Sequence, residues 1–144
     1  MYECLLVPVD LSDPSSLDKA LPVAASLSKG EASEIHVVSV VPTSGMAVVG
    51  SYLPDDYTDK AISAAREALL KALEDKKALC GPASLQGHVV KGSVYREIIH
   101  SADHLSCDAI VMTAHRPEFG DYLLGPNAAR VVRHAKQSVM VIRD

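Results

Sequence analysis

Two short segments of the 144-residue sequence carry residue types that could bind a phosphate-bearing ligand. They are Pro8-Val9-Asp10-Leu11-Ser12 and Met112-Thr113-Ala114-His115-Arg116-Pro117. A carboxylate such as Asp10 can hold a ribose hydroxyl or a magnesium ion, because magnesium prefers carboxylate oxygens together with water and phosphate. The guanidinium group of Arg116 matches phosphate oxygens at two points. Asp10 could instead cap the following helix through Ser12 or Asp13.

A third segment, Gly125-Pro126-Asn127-Ala128, opens the last predicted helix. The free N–H groups and the positive dipole end of such a terminus attract anions. An ordinary turn with proline at the first helical position explains Gly125 and Pro126 equally well. The presence of His115 and Arg116 in the preceding loop favours the anion site.

The remaining histidines and cysteines that could bind a metal are better explained as structural residues. His100, His104 and Cys107 have the spacing of one helix face, but no fourth ligand accompanies them, and a solvated helix end is the better explanation. We interpret His36 and His88 as packed or edge residues of strands rather than as ligands. Cys4, in an apolar run, is interpreted as an inert buried thiol.

Alternating short apolar runs and helical periodicities indicate the elements that position these residues. Strands are predicted at 4–9, 35–41, 85–90, 109–112 and 138–143, with helices opening near Asp13-Pro14, Ile62, Val94 and Gly125. Pro22 either kinks the first helix or delays its start. This β-α alternation predicts an open, doubly wound, mostly parallel five-stranded sheet with helices on both faces. Residues 42–57 are predicted to be a long loop, either a mobile connection or a lid or docking segment, and we favour the connection.

Ligands of doubly wound sheets bind beyond the carboxyl ends of the strands, where the strand order reverses. For the order 3-2-1-4-5, the reversal falls between strands one and four, and Asp10 and the segment from Met112 follow those two strands. This position favours a binding role for Asp10. The third strand, with Gln86, Gly87 and His88, is polar enough for an edge. The last strand is apolar on both faces, so a partner subunit is expected to cover it.

Composition limits the classes of function. The chain is 48% hydrophobic and 22% charged, which fits one folded domain over residues 1–144. A net charge of −4 argues against nucleic acid as the main partner. No apolar run approaches the roughly 20 residues of a membrane span, and the N-terminus lacks a basic region typical of a secretory signal. Three widely spaced cysteines predict a reduced, cytoplasmic protein. Catalytic motifs of serine hydrolases, zinc proteases, dinucleotide folds and P-loop proteins are missing from the sequence.

The segments 6–12, 35–41 and 110–112, together with 123–135, resemble the universal stress protein family along essentially the whole chain. His115-Arg116-Pro117 followed by Tyr122-Leu123-Leu124-Gly125 resembles its short, single-domain bacterial branch. The resemblance implies a flavodoxin-like sheet of order 3-2-1-4-5 and dimerisation through the last strand, Ser138 to Arg143. For many members it also implies ATP or AMP binding without well-defined turnover.

The nucleotide motif of that family is glycine, two residues, glycine, nine residues, glycine, then serine or threonine. Carried over by position, Thr113 and Arg116 replace the first two glycines, Gly125 keeps the third, and Pro126 replaces the hydroxyl residue. The second spacing is one residue shorter here. The N–H of Ala128, with the side chains of His115, Arg116 and Asn127, could serve as substitute donors.

Two hypotheses follow. In the first, the chain is a dimeric regulatory protein that binds ATP or AMP, with magnesium at Asp10. The contact residues for the nucleotide are Pro8, Val9, Asp10, Val40, Met112, Thr113, His115, Arg116, Gly125, Asn127 and Ala128. In the second, it is a nucleotide-free adaptor for a transporter or a metabolic protein. Slow ATP hydrolysis lacks a general base other than His115. Phe119 and Tyr122 are the only aromatic residues expected near the crevice, so the adenine is expected to rest on aliphatic side chains and backbone.

Overall fold

A computed structural model describes residues 1–42, 57–114 and 125–143 of the chain. The strands are β1 (Cys4–Pro8), β2 (Glu34–Pro42), β3 (Ser84–Gly92), β4 (Ala109–Ala114) and β5 (Ser138–Arg143). The α-helices are α1 (Ser16–Leu27), α2 (Tyr57–Lys76), α3 (Val94–His104) and α4 (Gly125–His134). Short 3-10 helices at Gly30–Ala32 and Lys77–Cys80 precede β2 and follow α2.

The five strands form one sheet of order β3-β2-β1-β4-β5, in which all neighbours are parallel. This confirms the predicted doubly wound, flavodoxin-like sheet. β1 is the central strand of the sheet, and all five of its residues are buried, as expected of a strand covered on both faces. The strand order reverses between β1 and β4, so the carboxyl ends of these two strands form the topological switch point.

Side chains alternate between two apolar clusters, one on each face of the sheet. The cluster on the first face joins the strands to α1 and α2, and includes Leu5, Val7, Leu21 and Leu69. The cluster on the second face joins the strands to α3 and α4, and includes Leu6, Val38, Ile98, Ile110 and Val131. Both clusters contain residues of β2, β1 and β4, so packing on both faces fixes the ends of these three strands relative to one another.

The start of α1 differs from the sequence prediction. Asp13-Pro14 was expected to cap the helix, but α1 begins at Ser16. The N–H groups of Ser16, Leu17 and Asp18 donate to carbonyls three residues earlier, at 3.0–3.3 Å, so a tight turn precedes the helix. Pro22 lies inside α1, which continues to Leu27. The alternative in which Pro22 delays the start of the helix is therefore wrong.

The two edge strands differ in character. β3 is largely exposed or half-buried, which agrees with its polar sequence. β5 has four apolar residues between Ser138 and Arg143, and Met140 is 43% exposed. Among the helices that the structure describes, none combines the length and apolarity that a bilayer crossing requires.

Candidate functional site

Asp10 stands two residues beyond the end of β1, at the switch point, and its side chain is fixed there. Asp10 is 6% exposed. Its Oδ1 accepts hydrogen bonds from the backbone N–H of Ser12 at 2.9 Å and from the Ser12 hydroxyl at 2.7 Å. Its carbonyl accepts from the N–H of Asp13 at 2.9 Å. The carboxylate thus organises the turn towards α1, and the same contacts hold a negative charge in one orientation at the strand end.

Val9 connects Asp10 to β2. Its N–H donates to the carbonyl of Val38 at 2.9 Å, which extends the β1–β2 pairing by one residue beyond the strand. Pro8 is opposite Val38 in the register and is fully inside the sheet. The N–H of Val9 is therefore occupied by a hydrogen bond to β2.

Three of the predicted nucleotide contacts belong to the cluster on the α3 and α4 side. Val40 and Met112 are 6% and 0% exposed, and Ala128 of α4 is 7% exposed in the same cluster. The structure therefore brings the end of β2, the end of β4 and the first turns of α4 together, as the sequence predicted. The Val9 side chain belongs to the cluster on the α1 side, which leaves the backbone of Val9 as its predicted nucleotide contact.

Thr113 behaves differently from the other predicted contacts. Alternation along β4 places Ala109 and Val111 in the cluster on the α1 side, and Thr113 follows them on that side. Thr113 is 4% exposed, and its hydroxyl has no hydrogen-bond partner among the described residues. The hydroxyl of Thr113 is therefore a buried, unpaired polar group one residue before the end of β4.

The last helix begins at Gly125, which is the predicted residue. Because α4 connects the parallel strands β4 and β5, its N-terminus lies at the carboxyl ends of the strands, the same end as Asp10. The first turn contains the half-buried Asn127 and the buried Ala128. At this end of the sheet a carboxylate can accept from ribose hydroxyls or bind magnesium, and the N–H groups of a helix N-terminus can donate to phosphates, so the arrangement is compatible with a nucleotide.

Several predicted residues lie outside the described part of the chain. These are His115 and Arg116, the aromatic residues Phe119 and Tyr122, and residues 43–56 of the predicted loop. Their predicted roles stay predictions. Two clefts of about 330 Å³ each flank α2, one against β3 and one against Leu11 and Pro14, and neither contains a predicted nucleotide contact. The candidate site is therefore defined by the strand ends and the helix terminus.

A basic and aromatic cluster between α3 and α4 was missed by sequence reasoning. The guanidinium carbons of Arg130 and Arg96 lie 5.2 and 5.7 Å from the ring centre of Tyr95. Nε of Arg96 donates to the Tyr95 hydroxyl at 3.1 Å, and this bond lowers the pKa of Tyr95. Arg130 lies close to Arg133 and His134 in the sequence, but Tyr95 is thirty-five residues away and only the packing of the two helices joins them.

Comparison with known proteins agrees with this geometry. The sequence model of the universal stress protein family matches residues 1–143. Universal stress protein G of Shigella flexneri is 29% identical over 144 residues, which is 99% of this chain and 100% of that protein. A solved universal stress protein from Archaeoglobus fulgidus in complex with dAMP has a TM-score of 0.68 at 22% identity, and 98% of each chain is covered. A universal stress protein in complex with cAMP has a TM-score of 0.63 at 20% identity, with 98% of this chain and 96% of that chain covered.

Proposed function

The chain belongs to the universal stress protein family, and from this premise we propose that it binds an adenine nucleotide, ATP or AMP, as a dimeric regulatory protein. The observation that carries the proposal is the buried, oriented carboxylate of Asp10 at the topological switch point, at the same end of the sheet as the N-terminus of α4. Two structural neighbours were solved with dAMP and with cAMP, and both ligands contain adenine, a sugar and one phosphate. These neighbours support an adenosine monophosphate unit as the minimal ligand.

We assign the adenine to the backbone of Val9 and the side chain of Val40, beside Pro8, and the ribose to the region of Asp10 and Met112. Because the N–H of Val9 is donated to Val38, the carbonyl of Val9 is the backbone group left for the exocyclic amine of adenine. The ribose then lies against Asp10. This arrangement uses no aromatic side chain, which agrees with the aliphatic and sulfur-containing side chains that form the buried part of the two described apolar clusters.

The phosphates are assigned to the N-terminus of α4 and to the segment after β4. Donors there are the backbone of Thr113, the side chains of His115, Arg116 and Asn127, and the N–H groups from Gly125 to Ala128, apart from Pro126, which has none. Magnesium, when bound, supplies charge neutralisation between the phosphates and Asp10. Because the Thr113 side chain lies on the α1 side, only its backbone is given a role in phosphate binding.

Isothermal titration calorimetry with ATP and magnesium tests the proposal. Asp10→Asn keeps an oxygen that can accept from Ser12 but removes the charge, so we expect the affinity for nucleotide to fall about tenfold or more, since hydrogen bonds to charged groups contribute about 1.5–3 kcal/mol. Asp108→Asn is the matched control. Its carboxylate accepts from Glu3 and Cys4 at the opposite end of the strands, and the substitution should leave the affinity unchanged. No heat at millimolar nucleotide would exclude the proposal.

We propose that the dimer forms through β5. Among the described residues of the single chain this strand pairs only with β4, and it exposes Met140 at the edge of the sheet, while Val132 of α4 is 52% exposed. An apolar edge strand is usually covered. Light scattering at micromolar protein concentration is expected to give the mass of a dimer, and Met140→Lys is expected to shift that mass towards the monomer. A monomeric wild-type protein would contradict this assignment.

The alternative function is a nucleotide-free adaptor. It is favoured by Thr113, Arg116 and Pro126 at three motif positions where the family has glycine or a hydroxyl residue. Both functions fit a cytoplasmic location, because all three cysteines are free thiols. Nucleotide analysis of the purified protein discriminates between the two functions. Bound adenine nucleotide supports the first, whereas a nucleotide-free protein that also gives no calorimetric heat supports the adaptor.

A further inference from the structure

A second polar cluster lies at the amino-terminal end of the sheet, away from Asp10. Cys4 of β1 is opposite Glu34 of β2 in the register, and Leu6 is opposite His36. Cys4 and Leu6 belong to the cluster on the α3 side, and alternation along β2 puts Glu34 and His36 on that side with Val38. Three different ligand groups from two adjacent strands therefore share one face of the sheet.

The three ligand atoms are close enough to meet at one ion. The sulfur of Cys4, a carboxylate oxygen of Glu34 and a ring nitrogen of His36 all lie within 4.8 Å of one another. Zinc binds thiolate, imidazole and carboxylate ligands at about 2.0–2.3 Å, so ligand atoms around a tetrahedral ion are roughly 3.3–3.8 Å apart. Small side-chain rotations on rigid strands suffice to reach that spacing. We propose that Cys4, Glu34 and His36 form a zinc-binding site.

Cys107 lies beside this site and is the candidate fourth ligand. Its sulfur is 2.9 Å from the sulfur of Cys4, and both cysteines are buried. Burial raises the pKa of the Cys4 thiol, the hydrogen bond with Cys107 lowers it, and the carboxylates of Glu34 and Asp108 raise it. Zinc binding would release the thiol proton to solvent and place a divalent charge beside two carboxylates.

His88 supplies the outer contact that metal-bound histidines usually have. Nδ1 of His36 is 2.8 Å from Nε2 of His88, and Nε2 of His36 is 3.1 Å from a carboxylate oxygen of Glu34. When His36 donates its Nδ1–H to His88, its Nε2 lone pair faces the proposed ion. Burial and the neighbouring His36 lower the pKa of His88. Such outer partners fix the ring orientation and the tautomer of a ligand.

The geometry also gives the ion a route to the site. The side chain of His36 is 5% exposed, whereas that of Glu34 is 54% exposed. Glu34 can therefore meet a hydrated ion at the surface, and the two buried ligands complete the coordination. The sequence did not reveal this site, because Cys4, His36 and His88 come from three separate strands and each alone has a structural interpretation. Only the parallel register brings them together.

The test uses tag-free protein carrying Cys80→Ser, stripped of metal with a chelator and kept in a non-thiol reductant. Cys80 bonds to the backbone carbonyls of Lys77 and Ala83 and is not part of the cluster, so its removal leaves the other two thiols as the only sulfur ligands besides methionine. Cobalt is the spectroscopic probe for zinc. We expect one cobalt per chain, with a thiolate-to-cobalt charge-transfer band that added zinc abolishes, and excess magnesium should not compete.

Variants then assign the ligands. Cys4→Ser and His36→Gln should each weaken zinc binding by at least tenfold, and His88→Ala should weaken it about 10–100-fold, as the loss of an outer partner does. His100→Gln is the matched control, since His100 is an exposed residue of α3 that stacks on His104 and is not one of the clustered ligands, so the variant should bind zinc like the parent. A parent protein without the charge-transfer band would overturn the proposal, and so would undiminished zinc affinity in Cys4→Ser. If Cys4→Ser fails to fold, the cobalt spectrum of the folded parent protein decides the question.

Discussion

The unpaired hydroxyl of Thr113 allows the sign of a stability change to be predicted. Thr113 is 4% exposed, and its Oγ1 has no hydrogen-bond partner among the described residues. Valine has nearly the same shape as threonine, so Thr113→Val removes a buried polar group without opening a cavity. Burying an unsatisfied hydroxyl costs about 1–3 kcal/mol in proteins. We therefore expect the substitution to raise the free energy of unfolding by about 1–2 kcal/mol.

Ser33→Ala is the matched control, because Ser33 is another buried hydroxyl residue but a fully bonded one. Ser33 is 1% exposed, its hydroxyl donates to the carbonyl of Tyr2 at 2.8 Å, and it accepts from the N–H of Lys29 at 2.6 Å. Its removal leaves those two backbone groups unsatisfied. We expect a loss of about 1–2 kcal/mol, opposite in sign to the effect at Thr113.

Urea denaturation followed by circular dichroism measures both changes, and a thermal scan should move by about 3 °C per kcal/mol for a chain of this size. The nucleotide affinity of Thr113→Val should equal that of the wild type, because the Thr113 side chain lies on the α1 side of the sheet. A destabilised Thr113→Val protein would refute the reasoning, since it would mean that the hydroxyl makes a bond in the folded state. A weakened nucleotide affinity would refute the assignment of the phosphate contact to the backbone of Thr113.

Two further predictions concern other parts of the molecule. Gly87→Ala should destabilise the protein by about 1–3 kcal/mol in the same urea assay, because the added Cβ would lie 2.8 Å from Cδ1 of Leu73 and 3.1 Å from Leu69. An unchanged midpoint would mean that α2 moves away without cost. In an alkaline absorbance titration, Tyr95 should ionise below its usual pKa of 10.0, and Arg96→Gln should raise that pKa again because the Arg96 hydrogen bond is the main cause of the shift. A titration curve identical in the two proteins would contradict that cause.

The sheet was predictable because its determinants are local and repeated. Apolar runs bounded by turn residues predicted the strands, with a weaker and more polar run for the third strand, and helical periodicity predicted the helices between them. The role of Gly87 could not be predicted from the local sequence pattern. In the sequence it reads as an interruption of a weak strand, whereas in the structure β3 is continuous and the missing side chain lets Leu69 and Leu73 of α2 pack against the strand. The packing of a helix from one part of the chain on a strand from another leaves no local pattern.

The carboxyl end of the sheet was predictable for a different reason. The strand order determines where the reversal falls. Once the order 3-2-1-4-5 was predicted, Asp10, Met112 and Gly125 could be assigned to the same region of the sheet. The assignment of Thr113 needed the structure, because it depends on which face of β4 each residue occupies.

The proposed zinc ligands could not be assigned in the same way, because no topological rule marks the amino end of a parallel sheet as a binding region. Their convergence depends on register, with Cys4 opposite Glu34 and Val38 opposite His88. A shift of one residue in either pairing would send one of the two partners to the other face. Both proposed sites thus depend on the same five strands but on different properties of them. The order of the strands positions the nucleotide site, and their register positions the zinc site. A substitution that alters register at β2 should therefore abolish zinc binding while the strand order, and with it the position of Asp10, persists.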